Sequence, residues 1–265
     1  MTQPGDAVDC PACARLMVLL LGLLVAGGVI PGREMELNGT WLMKEFTKGV
    51  GRAHAVYLKG FPEDGFRRVN VPTTVRAALM GMGDLPDPYF GTQNEGSLWV
   101  EEQEWWFVKT FDLPGNLQGK YIDLLFEGIV YQGDVWLNGR FLGHMEGMFN
   151  PRSFPVSSLL VYGGQNRIAV CLEAPQDAME RNLQGGYQYD VEPERPQRHV
   201  ICQSMYGWDW APHMVPTGIW RPVKLVATDA LRLDVPWVRA CPGTGGRARI
   251  EIRMAAENLS EEVLE

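Results

Sequence analysis

Residues 134–142 constrain the fold of this chain more than any other stretch. They read Asp-Val-Trp-Leu-Asn-Gly-Arg-Phe-Leu. Asn-Gly takes positive φ at low cost, so the segment predicts a tight β-hairpin closed by a type I′ turn. Its flanks alternate, with Val135 and Leu137 on one face and Asp134, Trp136 and Asn138 on the other. Strand signals recur along the chain. Residues 37–46 run from a turn signal into a strand. Residues 104–113 are aromatic and β-branched and stop at Pro114-Gly115, and residues 121–126 follow after a short turn. Residues 152–160 contain another extended piece. Residues 167–172 alternate after a Gly164-Gln165-Asn166 turn. Residues 219–227 form a further strand in which Pro222 argues for an edge or a bulge. A helical period is never sustained beyond about three turns, and residues 75–82 predict one short helix. The expected class is all-β.

Composition agrees. The 265 residues include 30 Gly and 18 Pro, which favours turns and short strands over long helices. With 46% hydrophobic and 21% charged residues the chain is globular rather than disordered, and it is long enough for a real core. Net charge is −8, which repels phosphate backbones and argues against nucleic-acid binding as the main role. Nine Trp is a heavy load, used where indoles pack a core or line a binding face. Near Thr228-Asp229 the strand pattern restarts at 231–233, 236–238 and 249–252. An immunoglobulin-type sandwich needs about 100 residues, so residues 229–265 are expected to be only the start of a second β-domain, truncated by the end of the chain. The first domain is then 35–228.

Residues 1–34 are set apart. Residues 16–30 carry no charge and follow Arg15, a run too short for a spanning helix of about 20 residues. It has the length of a signal-peptide core, with Ala26-Gly27-Gly28 as a small-x-small cleavage site, although Asp6 and Asp9 precede it. Alternatively Met35 is the initiator and 1–34 is a spurious or unfolded extension; a membrane anchor is the third reading. The location is cytoplasmic if Met35 starts the protein, and secreted or periplasmic if 16–30 is a signal peptide. Five cysteines, at 10, 13, 171, 202 and 241, are odd in number and mostly far apart, so no disulfide framework is implied. Cys10 and Cys13 have redox or metal spacing but no second pair. His54, His144, His199 and His213 show no short ligand spacing and read as surface or satisfied histidines. No metal and no cofactor is demanded.

Residues 206–212, Tyr-Gly-Trp-Asp-Trp-Ala-Pro, are the densest candidate for chemistry. A carboxylate accepts hydrogen bonds from two adjacent sugar hydroxyls, and an indole covers a sugar's C–H face. The competing reading packs both indoles in a core and leaves Asp209 to cap a turn. The motif lies near the end of a turn-rich stretch, 174–216, of a length that is usually functional. Asn94-Glu95 and the run Glu101, Glu102 and Glu104 offer carboxylates. Retaining glycoside hydrolysis needs two of them about 5–5.5 Å apart. Sequence proximity carries no such geometry, so the run reads as a solvated face without a catalytic assignment. The serine-elbow, phosphate-loop and zinc-helix motifs are absent.

Taken together these blocks resemble the N-terminal sugar-binding domain of glycoside hydrolase family 2, and within it the β-mannosidases. The carriers are Leu37-Asn38-Gly39-Thr40-Trp41; Asp87-Pro88-Tyr89-Phe90-Gly91 with Asn94-Glu95, ahead of Trp105-Trp106; the Leu137-Asn138-Gly139 turn; Met148-Phe149-Asn150-Pro151; Gly164-Gln165-Asn166; Gly207-Trp208-Asp209-Trp210; and residues 217–223. The likeness spans about residues 35–240. It implies a jelly-roll-like (galactose-binding-domain-like) β-sandwich, then an immunoglobulin-like domain, then a TIM barrel with two catalytic Glu residues. It also implies retaining hydrolysis of terminal, non-reducing β-linked mannose; the alternatives are a stand-alone carbohydrate-binding module or another family 2 glycosidase (β-galactosidase, glucuronidase, exo-glucosaminidase or endo-β-mannosidase). The barrel, as the protein's own downstream partner, and its catalytic residues are expected outside this sequence. Asn94-Glu95 falls in the wrong domain to be the barrel's Asn-Glu pair. By the same likeness Asp209 contacts the sugar, with Trp208 and Trp210 beside it. One departure is Ala211, where the family usually has Gly before Pro, a change that stiffens the loop.

Overall fold

The computed structural model describes residues 33–175, 201–233, 235–242 and 247–260. The N-terminal apolar run, the Cys10/Cys13 spacing and His199 lie outside the described residues. Two compact units divide the rest: Glu34–Ala227, and a second holding the residues from Thr228 onward.

Among the described residues the first unit holds fourteen strands, the first beginning one residue before its boundary and the last ending one residue past it: β1 (Arg33–Glu36), β2 (Gly39–Phe46), β3 (Arg67–Val71), β4 (Thr73–Thr74), β5 (Glu104–Asp112), β6 (Tyr121–Phe126), β7 (Gln132–Leu137), β8 (Arg140–Glu146), β9 (Arg152–Pro155), β10 (Gln165–Leu172), β11 (Tyr206–Trp208), β12 (Ala211–His213), β13 (Gly218–Ile219) and β14 (Val223–Thr228). Two short helices accompany them, α1 (Val50–Ala53) and α2 (Val75–Met82). A six-stranded antiparallel sheet runs β3-β2-β5-β10-β7-β8, and a four-stranded sheet runs β1-β14-β6-β9. The class is all-β, as the strand signals predict, and the architecture a sandwich, as the family resemblance implies.

Period-two alternation sets the layers. Trp105 and Phe107 of β5, Val135 and Leu137 of β7, and Ile168, Val170 and Leu172 of β10 join Ile122, Leu124 and Phe126 of β6 and Val223 and Leu225 of β14 in the core shared by the two sheets. The expected β7–β8 hairpin is present: Asn138 and Gly139 both take positive φ, +51° and +82°. The other face of the six-stranded sheet is also covered. Trp106, Val108, Trp136, Ala169 and Cys171 lie beneath Val56, Tyr57, Phe61 and Phe66. Tyr57, Trp136 and Trp106 stack in series, at centroid distances of 5.3 and 5.2 Å. Burial there pushes the Cys171 thiol well above its ordinary range. Buried indoles keep hydrogen-bond partners: Trp41 donates to Leu37 O and Trp105 to Val100 O.

Three expectations are corrected. Pro222 does not mark an edge strand: the 219–227 segment breaks at residues 220–222 into β13 and β14, and β14 is interior to its sheet. The proline sits in the break, where no ladder donor is needed. Among the described residues a strand already covers Arg33 and Glu34, inside the stretch set apart from the fold; Glu34 accepts from Lys224 of β14. The acidic run is not a solvated face. Glu101 and Glu104 are buried, and only Glu102 is exposed. Glu104 accepts from the N–H groups of Gly49 and Gly51 at the start of α1 and from the Trp106 indole at 2.9 Å.

In the second unit β15 (Leu231–Leu233) pairs with β18 (Ala256–Asn258), and β16 (Trp237–Pro242) with β17 (Ala248–Arg253), all antiparallel.

Candidate functional site

Trp208, Asp209 and Trp210 stand at the tip of the β11–β12 hairpin. Tyr206 pairs with His213 and Trp208 with Ala211, leaving Asp209 and Trp210 as the connecting residues. Gly207 takes φ +98°, a conformation that glycine adopts without steric cost. Ala211 lies in extended structure and has no positive φ, so it replaces a glycine without backbone strain. Trp208 is 58% exposed and Trp210 76%, and Asp209 is exposed as well. The reading that packs both indoles into a core is thereby overturned. The structure brings all three sequence-predicted site residues together on one projecting element.

The base of this hairpin is held by residues that sequence reasoning passed over. Arg76, on α2, is buried and donates to Ser97 Oγ at 3.0 Å, to Ser97 O at 3.1 Å and to Val215 O at 2.5 Å. It also pairs with Glu101. Glu101 Oε1 in turn accepts from Val215 N at 2.9 Å, and its Oε2 lies 3.0 Å from His213 Nε2. Arg76 and Glu101 thus take both the carbonyl and the N–H of Val215, two residues beyond β12. Apolar packing completes the seat: Met205, Tyr206 and Trp220 rest against Val130, Tyr131, Met148, Ile201 and Val215. Trp220 donates to Met148 O at 2.9 Å and carries Arg221 over its ring at 4.5 Å.

Just beyond, Gly218 joins this seat to the rest of the unit. It pairs with Thr74 and exchanges backbone hydrogen bonds with Val130. Its φ is +155°, and a Cβ there would lie 2.4 Å from Thr73 O and 2.6 Å from Thr74 Cα. Backbone cannot retreat as a side chain does, so Gly218→Ala is expected to destabilise the protein by about 2–4 kcal/mol. Urea unfolding checks this, as a lower midpoint at unchanged slope.

Asp134, His144 and Glu173 place one potential metal-ligand atom each within 4.8 Å of one another. Protein groups already serve them. Burial alone would push the Asp134 carboxyl up, but His144 at 2.8 Å and Arg52 hold it below the usual carboxylate range, and Gln132 donates to Glu173. The arrangement fits an ion-pair network within the sheet. Asn94 and Glu95 lie together at the start of a 3-10 turn, with Glu95 exposed.

Residues 52–221 match the family described as glycosyl hydrolase 2, galactose-binding domain-like. The chain belongs to this family. Among curated relatives, a mannosylglycoprotein endo-beta-mannosidase of Lilium longiflorum is 31% identical over 88% of this chain, and a beta-mannosidase of Mus musculus is 25% identical over 82%. Among solved structures, a beta-D-mannosidase from Dictyoglomus thermophilum superposes with a TM-score of 0.72 at 30% identity, covering 85% of this chain and 26% of that one. The chain spans about a quarter of the length of the curated relatives it matches, 24% for both named here. Its family 2 region includes the whole β11–β12 hairpin and its Arg76–Glu101 anchor.

Proposed function

We propose that this chain is the sugar-binding N-terminal part of a retaining family 2 glycosidase that removes terminal, non-reducing β-D-mannose. In this reading it supplies one wall of the substrate pocket, and a catalytic domain further along the protein supplies the two carboxylates that cleave the bond. The 265 residues alone are inactive. The observation that carries the reading is the exposed carboxylate of Asp209, set between two exposed indoles on a hairpin whose base is fixed by a buried ion pair. Water is the alternative partner for such a tip, but two exposed indoles are costly unless an apolar face meets them. A hexose offers that face together with paired hydroxyls. The names of the relatives support mannose as the sugar. The residues from Thr228 onward are then the opening of an immunoglobulin-like domain.

A second reading keeps the linkage and changes the position of attack. The lily relative is an endo-acting enzyme, which favours a β-mannoside inside a longer glycan. Release of nitrophenol from 4-nitrophenyl β-D-mannoside tests the main reading. The expected result is turnover by the protein extended through its downstream coding sequence and none by the 265-residue chain. Turnover by the short chain would overturn the division of labour. An extended protein that cleaves only internal linkages would select the second reading.

A further inference from the structure

His213 sits between two groups that can only accept. Its Nε2 lies 3.0 Å from the Glu101 carboxylate and its Nδ1 3.2 Å from the carbonyl oxygen of Tyr206. Neutral imidazole has one N–H, whereas imidazolium has two. Only the protonated ring satisfies both neighbours at once. On losing a proton, His213 keeps one bond and turns a lone pair toward an oxygen at the other. The two bonds are not equivalent in reach. One is internal to the hairpin, from β12 back to β11; the other ties the hairpin to Glu101 of the sandwich, 112 residues away in sequence.

We propose that Glu101 and His213 are positioning residues for Asp209: their hydrogen bond fixes the hairpin base, and the hold loosens when His213 deprotonates. The effect on sugar contact rests on the proposed function of Asp209; the hold on the hairpin does not. Among the described residues, three charged or titratable groups face His213. Glu101 comes from the 3-10 turn, Arg76 from α2 and the Tyr206 phenol from the paired strand, edge-on to the imidazole at a centroid distance of 6.1 Å. Burial, and then the Glu101 charge, raise the Tyr206 phenol, so it stays neutral through the range in which His213 titrates. The hydrogen bond to Glu101 is the main influence on His213. It raises the pKa above the ordinary histidine value, against burial and the Arg76 charge. A raised folded-state pKa means that the hold is complete below the unfolded histidine value of about 6.5 and is lost as pH rises through the folded one. Glu101 remains tied to Arg76 and Val215 throughout, so loosening is confined to the hairpin.

Amide hydrogen exchange of residues 206–215 in the 265-residue protein, corrected for the intrinsic pH dependence of exchange, tests this without any sugar. The wild type is expected to lose protection by roughly tenfold as pH rises through the His213 titration, the scale of one charge-assisted hydrogen bond. The titration itself is followed by the NMR shift of the imidazole Cε1 proton. His213→Ala is expected to be poorly protected at every pH. His213→Gln keeps a neutral donor toward Glu101 but carries no charge, so it is expected to match the deprotonated wild type at every pH, without a pH step. His213 is 44% exposed at its side chain, so both variants should fold. A wild-type profile that is flat, or a step that survives in either variant, overturns the proposal. The kinetics of Asp209 variants judge the sugar reading separately. A pH step with silent Asp209 kinetics leaves the hold standing and removes the sugar reading, and the reverse result does the opposite.

Discussion

Glu101→Ala is expected to cost about 3–5 kcal/mol of folding stability, the largest single effect predicted for a side chain outside the apolar core. Glu101 is 3% exposed at its side chain and Arg76 8%. Removing the carboxylate leaves a buried guanidinium that still donates to Ser97 and Val215 but has lost its counter-charge. It also strips Val215 N of its acceptor. The cost therefore comes from stranded partners more than from the bond itself. The double variant Arg76→Met with Glu101→Leu is expected to recover much of the loss, because it removes both charges together. Urea unfolding of the two single variants and the double variant measures the coupling. If Glu101→Ala costs less than about 1 kcal/mol, water reaches Arg76 and the pair does not anchor the hairpin.

Strand identity was legible where side chains alternate. β10 and the β7–β8 hairpin follow from period-two patterning and from Asn138-Gly139, β5 from its aromatic and β-branched content, β6 from its place after a turn, and α2 from a brief helical period. These signals are local. The outer aromatic layer was not legible, because Trp106, Trp136 and Tyr57 meet across strands and a loop far apart in sequence. Alternation separates the Trp136 face from the Val135 face but does not say what covers it; the 47–66 segment closes over it. At the site, Asp209, Trp208 and Trp210 could be nominated by residue type. Their anchor could not: Arg76 and Val215 are separated by 139 residues, and an acidic residue is read as solvated unless its partner is in view. Glu101 did offer one cue, its place next to Val100 in a run that ends in two buried tryptophans. Whether such a charge is expelled or paired depends on tertiary contacts alone.

If the proposed function holds, Asp209→Ala in the protein extended through its downstream coding sequence is expected to lower kcat/KM for 4-nitrophenyl β-D-mannoside by about 2–4 kcal/mol, roughly 30- to 700-fold. The size follows from charge. Hydrogen bonds from sugar hydroxyls to a carboxylate are worth about 1.5–3 kcal/mol each once the site is closed to water. In the proposed reading two adjacent hydroxyls share this group, and their contributions do not simply add. The exposure of Asp209 makes the experiment clean. A residue at an exposed tip, outside all three apolar clusters, should change stability by no more than about 0.5 kcal/mol. Lost activity then cannot be ascribed to lost fold. Trp210→Ala removes apolar cover but no charge, and should weaken KM more than kcat if the indole binds ground and transition states alike. Asp209→Asn keeps the shape and one acceptor, so it should fall between wild type and alanine. Unchanged kinetics in Asp209→Ala, with folding intact, would return this residue to a turn and leave the paired indoles without a ligand to explain their exposure.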